Sequence, residues 1–566
     1  MVYKIADNIV SPLGWTTEQN YKAVKSGSSA LRIRHDYPGI PEPFAASLFS
    51  DSQNEEMHID GLTRFEALAV RSARSAMAES GKDFSDKRVA FILSTTKGNI
   101  ELLAEGRGGA AEYPGVCAER IVGELGLKTT PMVVCNACIS GLSAIILASR
   151  LLACDYYDYA IVCGADCQGQ FIISGFQSFK ALSADTCKPY DIERTGLNLG
   201  EAAATIILGK EKEGDDCWGI DAGYIRNDAY HISAPSKKGD GAFLALQDVS
   251  ADRDASALAV VNAHGTATMF NDQMESVAIA RAGLTDIPVN SLKGYFGHTM
   301  GAAGILETLI TMKATDDRCV LTTRGYSELG VSGDIHPTAA NLPTDKVDFI
   351  KMISGFGGCN AAIWCTHNED GRQNPRQRRM QATHRVTITP DKVTVDGVAM
   401  ETEERGKRLL SAVYKQHVGD YPKFYKMDML SRLGFVASEL LLNVEGQRSS
   451  DDERDRAIVL FNRASSIDAD RQYLESIVHA DDYFPSPSLF VYTLPNIVTG
   501  EIAIRNGYKG ETSFYVLPER DDTVMRAVLE ATVANDAATK SVISGWLDYD
   551  SEEDFLADLV LEVIED

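Results

Sequence analysis

The chain has 566 residues and a mass of 61.5 kDa, too long for one ordinary hydrophobic core, so two or more domains are expected. It is 44% hydrophobic and 24% charged, a globular composition, and its formal net charge of −25 argues against general binding to nucleic acid or anionic membranes. No apolar stretch is long enough to cross a bilayer, and Met1 to Gly14 holds one lysine and no sustained apolar run, so no signal peptide is read there.

In chain order, Glu66 to Glu79 reads as a helix with a broad apolar face, and Arg88 to Ser94 as a buried strand. Val133-Val134-Cys135-Asn136-Ala137-Cys138-Ile139-Ser140-Gly141 is an apolar run that breaks at small residues and continues as a helix from Ser140 to Ala153. Cys138 then sits on a strand-to-helix turn, where unpaired N–H groups and the helix dipole favour thiolate and can hold an oxyanion. A buried structural thiol, or a C-x-x-C pair with Cys135, are the alternatives at this position. Ala160 to Gly164 is another buried strand, and the alternation of strands and helices implies an α/β fold with covered sheets. The eleven cysteines all fall between Cys117 and Cys365, in apolar contexts, which points to reduced thiols and a cytoplasmic location.

Three further motifs follow. Asn262-Ala263-His264-Gly265-Thr266-Ala267-Thr268 and Lys293-Gly294-Tyr295-Phe296-Gly297-His298 each put a polar residue at a strand end before a glycine-bearing turn. Ser354-Gly355-Phe356-Gly357-Gly358-Cys359-Asn360 is a glycine-rich loop with one aromatic. After Cys365 the segment 367–383 is polar and basic, carrying Arg372, Arg376, Arg378 and Arg379, and reads as a linker between residues 1–366 and 384–566.

With Lys188-Pro189-Tyr190-Asp191, Arg194, Leu199-Gly200-Glu201 and Asp228-Ala229-Tyr230-His231 in order between them, these motifs make residues 3–364 resemble a β-ketoacyl synthase, a condensing enzyme of the thiolase fold. The resemblance implies a duplicated α-β-α-β-α layered fold. It implies that Cys138 accepts an acyl chain from an acyl carrier protein, and that His264 and His298 stabilise the enolate left when a malonyl thioester loses carbon dioxide. Lys293 supports them electrostatically and keeps them neutral. Cys138 and Phe356 supply N–H groups to an oxyanion hole, Phe356 gates the acyl pocket, Phe176 walls it, and Thr266 and Thr268 hold the phosphopantetheine arm. No metal or diffusible cofactor is implied. Cys359 departs from the family's threonine, which raises a thiolase-type reaction, but the two histidines and the lysine mark the decarboxylating branch.

Residues 384–566 resemble the family's N-terminal half alone: Met427 to Leu433 answers to Thr63 to Leu68, and Arg456 to Phe461 to Arg88 to Leu93. About Glu519 takes the place of Cys138, so this half-thiolase-like α/β copy is expected to be inactive and to act as a scaffold. The family implies a homodimer, or a heterodimer with another ketosynthase-like chain. An acidic chain that receives an acidic carrier must gather cations locally, and Arg64, Arg71 and Arg74 on one helix face are the candidates. The alternative reading is a non-catalytic chain-length or scaffold partner of another ketosynthase.

Overall fold

Among the described residues three sheets share a five-stranded core of one design. The computed structural model describes residues 1–85, 88–107, 109–214, 217–367, 375–446, 452–478 and 483–565. Arg372 lies outside the described residues.

The first sheet contains β1 (Val2–Val10), β2 (Val89–Ser94), β3 (Met132–Val134), β4 (Tyr159–Asp166) and β5 (Ala202–Gly209). Its order is β3-β2-β4-β5-β1, with β2 parallel to β3 and β4, and with β5 antiparallel to β4 and β1. The second contains β6 (Trp218–Asn227), β7 (Leu258–Asn262), β8 (Pro288–Asn290), β9 (Asp348–Ser354) and β10 (Cys359–His367). Its order, β8-β7-β9-β10-β6, repeats both the topology and the strand directions. These two sheets are the expected duplicated fold.

Two helices, Ser140–Ala153 and Ala303–Asp316, are buried between the two sheets. Both are apolar nearly all round, as a helix covered on every side must be. Their N-termini meet through Gly141 and Gly304, and a Cβ on Gly141 would lie 2.7 Å from the Gly301 carbonyl oxygen.

The third sheet contains β11 (Arg379–Thr389), β12 (Arg456–Asn462), β13 (Thr512–Val516), β14 (Ser541–Tyr549) and β15 (Phe555–Glu565). Its order, β13-β12-β14-β15-β11, is the same arrangement a third time. The helix Met429–Glu445 begins after the capping residue Asp428, as Arg64–Ser80 begins after Thr63. The third unit starts earlier than 384. Arg379 pairs with Glu565 and Met380 with Ile564, so the end of the expected linker is already β11, because Met380 has an apolar site to fill.

The third sheet joins the first edge to edge. β13 runs antiparallel to β3, with Tyr515 opposite Val134 and Val516 opposite Val133. The Cys135 N–H donates to the Phe514 carbonyl at 3.1 Å, and the Phe514 N–H to Asn136 Oδ1 at 2.7 Å. Met132 lies opposite Ile92 and Phe514 opposite Leu460, so with Arg456 to Phe461 answering to Arg88 to Leu93 the counterpart of Cys138 is Arg520, one residue beyond the Glu519 expected. Arg520 bonds to Asp522 and Asp558, both at 2.8 Å. Because β13 covers β3 within the chain, that edge is closed to a second copy.

Buried ion pairs cross the seam: Arg150 to Glu511 at 2.7 Å, Arg226 to Asp536 at 2.7 Å and Lys97 to Asp470 at 2.6 Å. Removing one member of such a pair strands a buried charge. Glu511→Ala, which leaves Arg150 without its only ion-pair partner among the described residues, is expected to destabilise the protein by about 3–5 kcal/mol. The check is the shift in denaturant midpoint at constant transition slope.

Candidate active site

The turn after β3 is fixed from both sides. Ala137 has φ +48°, a strained value for a residue with a side chain. The Asn136 N–H donates to Ser140 Oγ at 2.8 Å, and that hydroxyl donates to the Ala137 carbonyl at 2.6 Å. Cys138 follows within the short 3₁₀ turn Ala137–Ile139, directly before the helix at Ser140. The turn's preference for thiolate is opposed by burial. Burial pushes the Cys138 thiol up to about 12, with Lys293 acting in the opposite direction, so the group rests protonated.

The sulfur of Cys138 and ring nitrogens of His264 and His298 all lie within 4.8 Å of one another, and the two rings meet edge to face at 4.9 Å. The Met300 N–H donates to His298 Nδ1 at 3.3 Å, which places the His298 ring proton on Nε2. That Nε2 is buried with no protein partner among the described residues, as is His264 Nδ1. Both imidazoles are held well below their ordinary pKa, first by burial and then by Lys293, with Lys351 adding to the effect. The cations are themselves buried: Lys293 and Lys351 share the Glu307 carboxylate, Lys351 at 2.6 Å. Burial lowers the Lys351 ammonium to about 8. Glu275 accepts the N–H groups of His264 (2.8 Å) and Gly265 (2.7 Å), fixing the His264 turn. Sulfur and two imidazoles have the composition of a metal site, but two ammonium groups against one carboxylate oppose a divalent cation there.

Two cavities meet at Cys138. The outer cleft, of about 340 Å³, is lined by Cys138, His264, His298, Thr266, Thr268 and Phe356 among others. The two threonine hydroxyls are 2.9 Å apart. The inner cavity, of about 10 Å³, lies between Cys138, Phe176, Phe356 and, from the third unit, Phe490 and Leu494. Phe356 stacks on Phe176 at 6.3 Å and separates the two. Phe490 meets Phe176 edge-on at 5.6 Å, and a Cβ on Gly175 would fall inside its ring.

Residues 11–214 match the family model for the β-ketoacyl synthase N-terminal domain, and residues 219–327 the model for its C-terminal domain, together more than half of the chain. The chain belongs to the β-ketoacyl synthase family. It is 27% identical over 404 residues to a 3-oxoacyl-[acyl-carrier-protein] synthase 2 of Vibrio cholerae, spanning 63% of this chain and 96% of that protein. It is 30% identical over 322 residues to a nodulation protein E of Rhizobium meliloti, spanning 55% of this chain and 79% of that one. A solved β-ketoacyl synthase from Burkholderia phymatum superimposes with a TM-score of 0.58 at 24% identity, over 65% of this chain and 99% of its own. A solved structure titled PfaC keto synthase-chain length factor superimposes over 99% of this chain and 78% of its own, with a TM-score of 0.77 at 12% identity. This protein is an acyl-transferring enzyme that carries out the β-ketoacyl synthase condensation.

The synthase departs from the sequence reading at its basic residues. Arg64 Nη2 bonds to Glu201 at 2.6 Å and the Gln168 carbonyl at 3.1 Å, Arg71 to the Glu56 and Met57 carbonyls, and Arg74 to Glu124 at 2.7 Å. Arg64 is bound to buried groups of the chain, while Arg74 keeps a half-exposed side chain, so the three arginines differ in how much charge they offer to solvent. Arg378 is likewise committed, to the Asp536 and Thr539 carbonyls. Sequence reasoning missed Lys351 and Glu307, although a lone lysine in Phe349-Ile350-Lys351-Met352-Ile353 and a lone acid after Ile305-Leu306 were both visible.

The depressed imidazole pKa values place the acid limb of the synthase's rate well below pH 6.5. In Lys293→Ala the histidines lose a neighbouring cation, imidazolium becomes easier to form, and the limb is expected to move up toward neutrality. The pH dependence of malonyl-thioester decarboxylation measures this.

Proposed function

We propose that Cys138 carries the growing acyl chain and that the surrounding groups extend it with a malonyl unit from an acyl carrier protein. The observation behind this assignment is the convergence of one thiol and two neutral imidazoles within 4.8 Å at the junction of a polar and an apolar cavity. His298 has committed its Nδ1 lone pair to Met300, so the thiol proton passes to His264. Sulfur attacks the carrier thioester, and the carrier thiolate leaves with the proton from His264. The Gly355 and Gly357 N–H groups are spent on the carbonyls of Cys359 (2.8 Å) and Ile232 (2.7 Å). The Phe356 N–H between them has no backbone partner among the described residues, which suits it, with Cys138 N–H, to the oxyanion. In the second half-reaction His298 Nε2–H, with His264 beside it, bonds the malonyl thioester oxygen. Carbon dioxide leaves, the enolate carbon attacks the acyl carbon, and the Cys138 thiolate departs to be reprotonated.

Thr266 and Thr268 line the outer cleft where the phosphopantetheine arm would lie. The carrier supplies that arm, and no other cofactor enters the scheme. Residues 1–366 hold this chemistry. The C-terminal unit is an inactive half-copy that stands where a second subunit would, closing the acyl cavity with Phe490 and Leu494. Carrier docking moves from Arg64, Arg71 and Arg74 to the rim of the cleft. Lys180, Lys237, Lys238 and Lys423 are exposed beside lining residues and have no ion-pair partner among the described residues. Lys423 comes from the third unit and is close enough to His231 to help lower its pKa. This cationic rim on a chain of net charge −25 complements an acidic carrier. No described helix is long and apolar enough to cross a membrane, and the chemistry fits the cytoplasm.

Intact-protein mass spectrometry after incubation with acyl-carrier thioesters is expected to show an acyl adduct on the wild type and none on Cys138→Ala. An adduct on both would place the nucleophile elsewhere. Lys423→Glu is expected to raise the carrier KM several-fold at low salt and to leave acylation by a pantetheine thioester unchanged. An unaltered KM would remove the third unit from the docking surface.

A further inference from the structure

The loop that carries Phe356 is held from two units at once. Gly357 (φ +88°) and Gly358 (φ +74°) adopt left-handed backbone, so the chain turns sharply directly after the aromatic. The peptide between Phe356 and Gly357 is bonded at both ends: its N–H donates to the Ile232 carbonyl at 2.7 Å, within the catalytic unit. Its carbonyl accepts from Asn496 Nδ2, of the C-terminal unit, at 2.8 Å. The Cys359 thiol is 3.2 Å from that carbonyl and 3.7 Å from the same amide nitrogen. The approach is too close for any side chain at Gly357 or Gly500. A Cβ on Gly357 would lie 2.7 Å from Asn496 Nδ2, and one on Gly500 would lie 2.6 Å from the Gly357 carbonyl.

Asn496 stands at the N-cap position of the helix Ile497–Asn506 yet makes no side-chain cap there. An asparagine in that position ordinarily bonds its own helix's N–H groups. Here the amide reaches out of its unit instead, is buried, and leaves its Oδ1 without a partner among the described residues. The helix gives up a cap for a bond to the loop.

We infer that Asn496 is a positioning residue for the acyl gate: the C-terminal unit holds Phe356 in its closed setting through the Phe356 carbonyl. This rests on the reading of Phe356 as the gate. A backbone movement that carries the aromatic out of the Cys138 cavities rotates its following peptide, and that rotation breaks the Asn496 bond. Loading of long chains is therefore controlled from the unit that contains no catalytic thiol, in addition to the wall that Phe490 provides.

The test is chain-length-resolved acylation of Cys138 in the full-length protein, read by intact mass, in Asn496→Ala and Asn496→Asp, with Phe356→Ala alongside. Asn496→Ala removes the donor, and the isosteric Asn496→Asp sets an acceptor against the carbonyl. Both are expected to raise the long-chain to short-chain acylation ratio by about 2- to 10-fold, the range one hydrogen bond of ordinary net strength permits, with Asp at least as large as Ala. Condensation kcat should fall while the malonyl-carrier KM is kept. If Phe356→Ala changes the ratio and folded Asn496 variants keep the wild-type ratio, the clamp is disproved and the gate survives. If Phe356→Ala also leaves the ratio unchanged, the gate reading itself fails. Should Ala lower the melting temperature too far to assay, the isosteric Asp variant decides between the same outcomes.

Discussion

The antiparallel contact between β3 and β13 is the constraint on which the site depends. β3 is only three residues long, and it ends four residues before Cys138, the proposed nucleophile. A short strand at a sheet edge has unpaired N–H and carbonyl groups and a weakly defined end. Pairing with β13 uses those groups and extends past the strand to Asn136, whose side chain accepts the Phe514 N–H. The strained Ala137 turn is thereby held at both ends, by β13 on one side and by the Ser140 hydroxyl on the other. The C-terminal unit therefore acts on catalysis first by fixing a backbone, before any of its side chains is considered.

The second determinant is electrostatic. Two lysines and one glutamate are buried behind the histidines, and Lys293, Lys351 and Glu307 leave local positive charge where imidazolium would form. The cost of burying these ions is offset by their mutual pairing and by the carbonyls of Asn262 and Ala263 that accept from Lys351. The result is a pair of neutral hydrogen-bond donors in a water-poor cleft, which suits an enolate. The same positive charge opposes the desolvation that keeps the Cys138 thiol protonated, so one buried cluster serves both half-reactions with the same sign.

The sequence made the motifs legible because each has a local signature: a thiol after an apolar strand, or a histidine before a glycine turn. The half-copy was legible for the same reason, since its capping residue and its β12 pattern repeat those of the first unit. What escaped were partners brought together by topology. Phe490, Asn496 and Lys423 sit in unremarkable local sequence, and their roles arise only because β13 docks on β3 and carries the surrounding helices to the acyl side of Cys138. Arg64, Arg71 and Arg74 acquire intrachain partners by the same route. Helical spacing shows which residues share a face, but not that Glu201, the Glu56 carbonyl and Glu124 are waiting there.

The third unit acts on the site through a small set of contacts. A five-stranded β13-β12-β14-β15-β11 sheet with its helices is enough to present a strand to β3, Phe490 and Leu494 to the acyl cavity, Asn496 to the gate loop and Lys423 to the rim. The second sheet, which carries His264 and the Phe356 loop at its strand ends and Lys351 within β9, has no counterpart among the described residues of the third unit. In the third unit the turn after β13 carries no nucleophile. That position holds Arg520, ion-paired to Asp522 and Asp558, whose charge and length fill the turn where a thiol would have to face a cavity. The third unit thus brings to the Cys138 site, within one chain, the contacts that a partner in a two-fold assembly would bring.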